Sequence, residues 1–207
     1  MTEATPAILV DMRALLAANV IAGHKNTKNR ETLRSVYLTP DLAIGCDSYR
    51  LVAVGHGDLK DAGPADLHAA VISPHAAATS QAPGIMVPAD LLVTVAKIAK
   101  VGLVKVGTDG RTVSVEIPSG QTFTAPVPCG EYPNFGTLFP ALDAGVSGAS
   151  WSTDYLADVA KIGKPLACTG PATLLTSDPL KPSLWHIPGM LKDVGNAIYL
   201  LMPIRTA

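Results

Sequence analysis

Aromatic residues are scarce, at 5% of the chain, so the core must be built mainly from alanine, valine, leucine and isoleucine. Charge is scarce too: charged residues make up 16% against 48% hydrophobic ones, a balance that excludes a disordered tail and fits a globular chain. No apolar run approaches the about 18 residues of a membrane span. The three cysteines, Cys46, Cys129 and Cys168, are odd in number and widely spaced, with neither a CxxC pair nor Cys/His metal spacing. They read as small buried hydrophobes, and neither a disulfide framework nor a metal site is expected. Glu3 stands where a secretion signal carries positive charge. A soluble cytoplasmic protein with no membrane partner is the expectation.

Motifs for chemistry are missing as well. There is no Walker loop, GxGxxG, GxSxG or HExxH, and His24, His56, His68, His75 and His186 lack metal-ligand spacing. Asp41, Asp47, Asp58 and Asp61 fall at turns, where aspartate is favoured for backbone reasons. Neither an active site, a cofactor nor a metal is expected.

The net charge of −1 excludes a chain that grips nucleic acid over its whole surface. The charges are nonetheless uneven. Arg13, Lys25, Lys28, Arg30 and Arg34 face three acids within the first 34 residues, whereas residues 35–66 hold only Arg50 and Lys60 against five acids.

What is present is a repeat. Asp11 to Ala22 carries Met12, Leu15, Leu16 and Val20 near helical period, with Gly23 as a stop, followed by the strand-like runs "SVYLTPD", "LAIGCDS" and "RLVAVGH". Residues 57–83 predict one strand near Leu67 to Ile72 within loop. Then "ADLLVTVAKIAK" leads into "VGLVKVGTD", "TVSVEIPS" and "QTFTAPVP", again a helix and three strands. A third copy, "TDYLADVAKIGK" at 153–164, matches residues 89–100 at seven of twelve positions with a constant offset of 64. It continues through "PATLLTS", "PSLWHIP" and "AIYLLMP". Self-similarity of this kind marks a repeated supersecondary unit whose copies pack together.

In the matched helices Leu91, Val95 and Ile98, and Tyr155, Val159 and Ile162, form one apolar stripe, with Lys97, Lys100, Lys161 and Lys164 opposite. Such lysines can simply complement the helix macrodipole. Their recurrence also fits equivalent helices presenting lysines to one shared anionic partner, for which DNA phosphate is suitable.

Three motifs resemble one family. "GCDSYRL" at 45–51 resembles the ATDGHRL turn of bacterial DNA polymerase III beta subunits, the sliding clamps. "EYPNFGTLFP" at 131–140 resembles their FPNYxxLIP inter-domain linker, and "YLLMPIRTA" resembles their closing YVVMPMRL. The resemblance implies an α+β DNA clamp fold: repeated βαβββ modules with helices on one face of antiparallel sheets. It implies a clamp-like domain of two modules at 1–140 and a half domain of one module at 141–207. It also implies a non-enzymatic processivity factor that encircles duplex DNA without reading sequence. Arg13, Lys25, Lys28, Arg30, Lys97, Lys100, Lys161 and Lys164 would face the DNA.

The family's docking pocket, carried over by motif, would use Cys46, Ser48, Tyr49, Arg50 and Leu51, then Pro133, Thr137 and Leu138, then Leu200, Met202, Pro203 and Ile204. Its ligands would be peptides of a DNA polymerase or clamp loader. Each of these side chains also has an ordinary reading as core, surface ion pair or buried strand. The chain departs from the family in having about three modules, and Ser48 and Tyr49 where the turn has Gly and His. A shortened, phage-like member forming a homo-oligomeric ring is the leading expectation. A clamp-derived interaction protein that binds partner peptides without encircling DNA is the alternative.

Overall fold

The computed structural model describes residues 7–76, 84–142, 145–146, 148–190 and 194–204, the side chains of 73–76 and of Thr137 excepted. The first unit opens with β1 (Ile8–Asp11), which runs directly into α1 (Met12–Ala22). Asp11 caps that helix: its carboxylate accepts from the Arg13 N–H at 2.8 Å and is held by the Arg13 guanidinium at 2.7 Å. Such a cap stabilises a helix by about 1 kcal/mol. Strands β2 (Ser35–Leu38), β3 (Leu42–Cys46) and β4 (Arg50–Gly55) follow. Helix α1 buries Met12, Leu15 and Ile21 on the sheet. It lies so close to β3 that a Cβ at Gly45 would sit 2.0 Å from the Ala18 carbonyl oxygen.

The second unit has the same order: β5 (Ile85–Pro88), α3 (Ala89–Ala96), β6 (Leu103–Thr108), β7 (Thr112–Glu116) and β8 (Thr122–Pro126). Between the two units lies α2 (Pro64–Ala76), a helix where the sequence reading expected a strand at Leu67 to Ile72. Pro64 opens it, where its missing N–H costs nothing. Leu67 and Val71, one turn apart, are both buried against the sheet. The third unit consists of α4 (Thr153–Gly163), β9 (Thr173–Asp178), β10 (Lys181–Ile187) and β11 (Ala197–Leu201). Ahead of α4, Val146 makes a single parallel bridge to Ser177.

All strand pairings between named strands are antiparallel, in a four-stranded sheet ordered β1-β6-β7-β8 and a seven-stranded sheet ordered β5-β2-β3-β4-β11-β10-β9. The leading strands are exchanged: β1 pairs with β6 of the second unit, and β5 with β2 of the first. The βαβββ module implied by the clamp resemblance calls for a leading strand, but the residue pattern locates neither one, because each is only four residues long and its partner lies in the other unit. β4 pairs with β11 over five residues, so one sheet runs continuously from the first unit into the third.

The seven-stranded sheet is covered on both faces. Val52, Val54, Tyr199 and Leu201 point to the face where α1, α3 and α4 lie. Leu51, Ala53, Ile198 and Leu200 point to the other, under Leu67 and Val71 of α2 and Phe135 of the segment 131–140. Double burial makes β4 and β11 read as uninterrupted apolar runs. The outer face of the four-stranded sheet is solvated instead, with Lys105, Glu116, Thr122 and Thr124 exposed. The expected stripe on α3 stops short: the helix ends at Ala96, and Ile98 is exposed beyond it. No helix among the described residues is long and apolar enough to cross a membrane.

Candidate functional site

The turn between β3 and β4 is organised by Asp47, whose Oδ1 accepts from the N–H groups of Tyr49 at 2.7 Å and Arg50 at 2.9 Å. This local bonding is what aspartate does well at turns. Its Oδ2 accepts from Arg50 Nη2 at 2.7 Å. The Arg50 side chain is wholly buried. It also donates through Nη1 to Asp158 of α4, and its guanidinium lies 4.2 Å from the centre of the Tyr155 ring. Asp158 is held in turn by Lys161 Nζ at 2.7 Å. Asn26 donates to both Asp47 and the Tyr155 hydroxyl at 3.3 Å.

The C-terminal segment closes over this network. After β11 ends, Met202 N–H donates to the Tyr49 carbonyl at 3.0 Å and Ile204 N–H to the Ser150 carbonyl at 2.8 Å. The Tyr199 hydroxyl donates to the Tyr155 carbonyl at 3.0 Å, tying β11 to α4. Tyr49, half exposed, stacks on Tyr155 with ring centres 6.0 Å apart.

These segments enclose a cavity of about 630 Å³. Its apolar side is formed by Tyr49, Met202, Pro203 and Ile204; its polar side by Asp154, Tyr155, Asp158 and Lys161 of α4; His24, Lys25 and Asn26 also line it. A cleft with a few fixed polar groups and apolar walls is the usual form of a ligand site. The charges of the network balance, Asp47 and Asp158 against Arg50 and Lys161; the first three are buried, and the Lys161 side chain is 63% exposed. His24 Nδ1 accepts from the Asn26 N–H at 3.3 Å, which requires a neutral ring. Burial, and then the Arg50 charge, hold the His24 pKa below its ordinary value in agreement with that.

Of the residues carried over from the clamp motifs, the structure brings Tyr49, Met202, Pro203 and Ile204 into the cavity wall. It does not bring the others there. Arg50 is buried beneath it as a structural ion, not presented to a ligand. Cys46, Leu51 and Leu200 point to the opposite face of the sheet, packed with Phe135. Burial pushes the Cys46 thiol up to about 12, so it is an inert thiol. Ser48 is exposed and accepts a hydrogen bond from Arg30. Pro133 and Leu138 flank Phe135 in the 131–140 segment, which crosses that same far face; the Thr137 side chain lies outside the described residues. The cavity residues that sequence reading missed, His24, Asn26, Asp154, Tyr155 and Asp158 chief among them, come from the α1–β2 connection and from α4.

The cationic candidates also divide. Arg13 is engaged by Asp11, Arg30 by Ser48, and Lys161 by Asp158, while Lys25 and Lys161 line the cavity. Lys28, Lys97, Lys100 and Lys164 are exposed. No cluster of three or more His, Cys, Asp or Glu side chains that could hold a metal is present among the described residues.

Exchanged leading strands, the helices α1, α3 and α4 of the repeated units gathered on one face of antiparallel sheets with α2 on the other, and a cleft where the first and third units join define this chain as having the sliding-clamp fold of bacterial DNA polymerase III beta subunits. Solved structures of such clamps match it along its whole length. The clamp of Bartonella birtlesii bound to griselimycin superposes with a TM-score of 0.63 at 14% identity, over 99% of this chain and 67% of that one. The H. pylori beta clamp in complex with diflunisal gives 0.67 at 12% identity, over 100% and 68%. The Bacillus subtilis clamp gives 0.64 at 15%, over 100% and 66%. The chain thus spans about two thirds of the length of these clamps. No family model matches the sequence, and no curated protein matches it.

Proposed function

We propose that this chain is a DNA polymerase processivity factor: a non-enzymatic, cytoplasmic sliding clamp that assembles with further copies of itself around duplex DNA and docks replication proteins through the cavity at Tyr49. The reading divides the chain into a clamp-like domain at 1–140 and a half domain at 141–207. It is supported chiefly by one observation: the two clamp-like motifs "GCDSYRL" and "YLLMPIRTA" converge on a single cleft within a clamp fold, with Met202 bonded to Tyr49. The occupants are short peptides of a DNA polymerase or clamp loader, inserting apolar side chains between Tyr49, Met202 and Ile204. A thioether beside aromatic and aliphatic side chains suits adaptable apolar recognition. Exposed Lys28, Lys97, Lys100 and Lys164 contact phosphate without reading bases, and so permit sliding.

A second reading, an interaction protein that binds such peptides without encircling DNA, is favoured by the placement of Lys25 and Lys161 in the cavity and not on an open cationic face. Retention on nicked circular DNA separates the two. The clamp reading expects protein to stay on the circle through a salt wash and to be lost when the circle is cut. Peptide binding without topological retention selects the second.

A further inference from the structure

We propose that the open edge of β8, with the adjoining flank of α3, is a self-association surface that pairs with the same surface of a second copy about a two-fold axis. The inference rests on the assembly of further copies proposed above and names its surface and symmetry.

The chain contains an internal precedent. β4, β8 and β11 are the last strands of the three units, and β4 pairs with β11 over five residues while α1 packs against α4 beside them. Among the described residues β8 has a neighbour on one side only, β7.

The helices show the same difference. Counted from their first residues, Met12, Ala89 and Thr153, the sixth positions are Ala17, Thr94 and Asp158, and the tenth, just past the end of α3 in its case, are Ile21, Ile98 and Ile162. The four residues of α1 and α4 are buried, whereas Thr94 is exposed and Ile98 is 59% exposed. On this flank α3 lacks the neighbour that α4 gives to α1. Phe123 and Ala125 of β8 are likewise half-buried, whereas Val52 and Val54 of β4 and Tyr199 and Leu201 of β11, on the same face, are wholly buried.

The edge is able to pair. The Gln121 carbonyl accepts from the Ile117 N–H and the Val127 N–H donates to the Arg111 carbonyl, so alternation turns the N–H and C=O groups of Thr122 and Thr124 outward. Pro126, with no N–H to give, ends the row of donors. None of the five β8 side chains is charged, so the strand carries no charge that repels a second one. β4 and β11 occupy each other, which leaves β8 as the one last strand that a further copy can offer. Two identical edges meeting about a two-fold axis satisfy both at once.

The test compares the full chain with Ile98→Asp and Thr124→Pro by sedimentation velocity at micromolar protein. Ile98 is exposed, and the Thr124 N–H points away from β7, so both variants should fold, as circular dichroism and thermal melting verify. Each should show half the wild-type mass, because breaking a two-fold contact divides the assembly into equal halves. Thr124→Cys in a Cys129→Ser background should be captured as a covalent dimer by a short bismaleimide, since the axis brings the same residue of two copies together. An unchanged mass in either folded variant, a fall to one third or less, or no capture of Thr124→Cys overturns the pairing while leaving assembly standing. A monomeric wild type overturns both readings together.

Discussion

Arg50 and Asp158 lie 108 positions apart and meet in a buried ion pair, the one on β4 of the first unit and the other on α4 of the third. Asp47 completes the pair from the other side, so the joint between units depends on a guanidinium with no exposure to water. Removing the cation leaves buried Asp47 with hydrogen bonds but no counter-ion, and Asp158 with Lys161 alone. Arg50→Met should therefore destabilise the chain by about 3–5 kcal/mol, the usual cost of breaking a buried pair from one side. Urea denaturation reads this as a lower midpoint with an unchanged slope.

Tyr49 and Leu51 sit two residues apart and serve different faces. Leu51 is packed under Phe135, so Leu51→Ala should cost about 2–5 kcal/mol of stability and leave peptide affinity unchanged in the folded protein. Tyr49 is 51% exposed and walls the cavity, so Tyr49→Ala should leave the denaturation midpoint nearly unaltered and weaken peptide binding several-fold. Calorimetric titration of both variants checks the separation.

This division explains what was legible. The three helix-plus-strands copies could be read because β4 and β11, buried on both faces, appear as plain apolar runs, and because α3 and α4 share letters. β1 and β5 could not, since exchange places the partners of these short strands in another unit. "LHAAVI" is apolar in a way that suits a short strand or one turn of helix, and only its packing against Leu184 and Ile198 decides for α2. At the site, Tyr49 and Met202 to Ile204 could be read by motif. Asp158 could not: on a helix surface pattern it looks like a solvated acid, and nothing local signals a partner on β4.

Acid should destabilise the protein earlier than its carboxylates alone would. Burial lowers the pKa of His24, His56 and His186 below 6.5, most consequentially for His56, which is 2% exposed and whose shift Asp41 only partly opposes. The unfolded chain takes up these protons near 6.5, before the folded chain does. Stability is thus complete above about 6.5 and is lost as pH falls from there toward the folded values. The aspartates held down by hydrogen bonds, Asp90 through Arg34 and Asp109 through backbone N–H groups, lose their contribution only as pH falls below 3.8. Melting temperatures should decline between pH 7 and pH 5, and histidine proton shifts should place the His56 titration below 6.5. A flat melting profile over that interval contradicts the burial.

Lys97, Lys100 and Lys164 are exposed, whereas Lys161 is committed to Asp158. Changing the first three together to glutamate should abolish retention on circular DNA and leave the affinity for peptide unaltered. Changing Lys161 alone should act mainly on the cavity. Retention assays and peptide titrations on the two variants distinguish these roles.

The mass of the assembly in solution tests the central claim most directly. The polypeptide is 21.4 kDa, and a clamp that encircles DNA must close from several copies. Sedimentation velocity or native mass spectrometry at micromolar protein should show one discrete oligomer at an integer multiple of that mass. A strictly monomeric protein under those conditions contradicts the account.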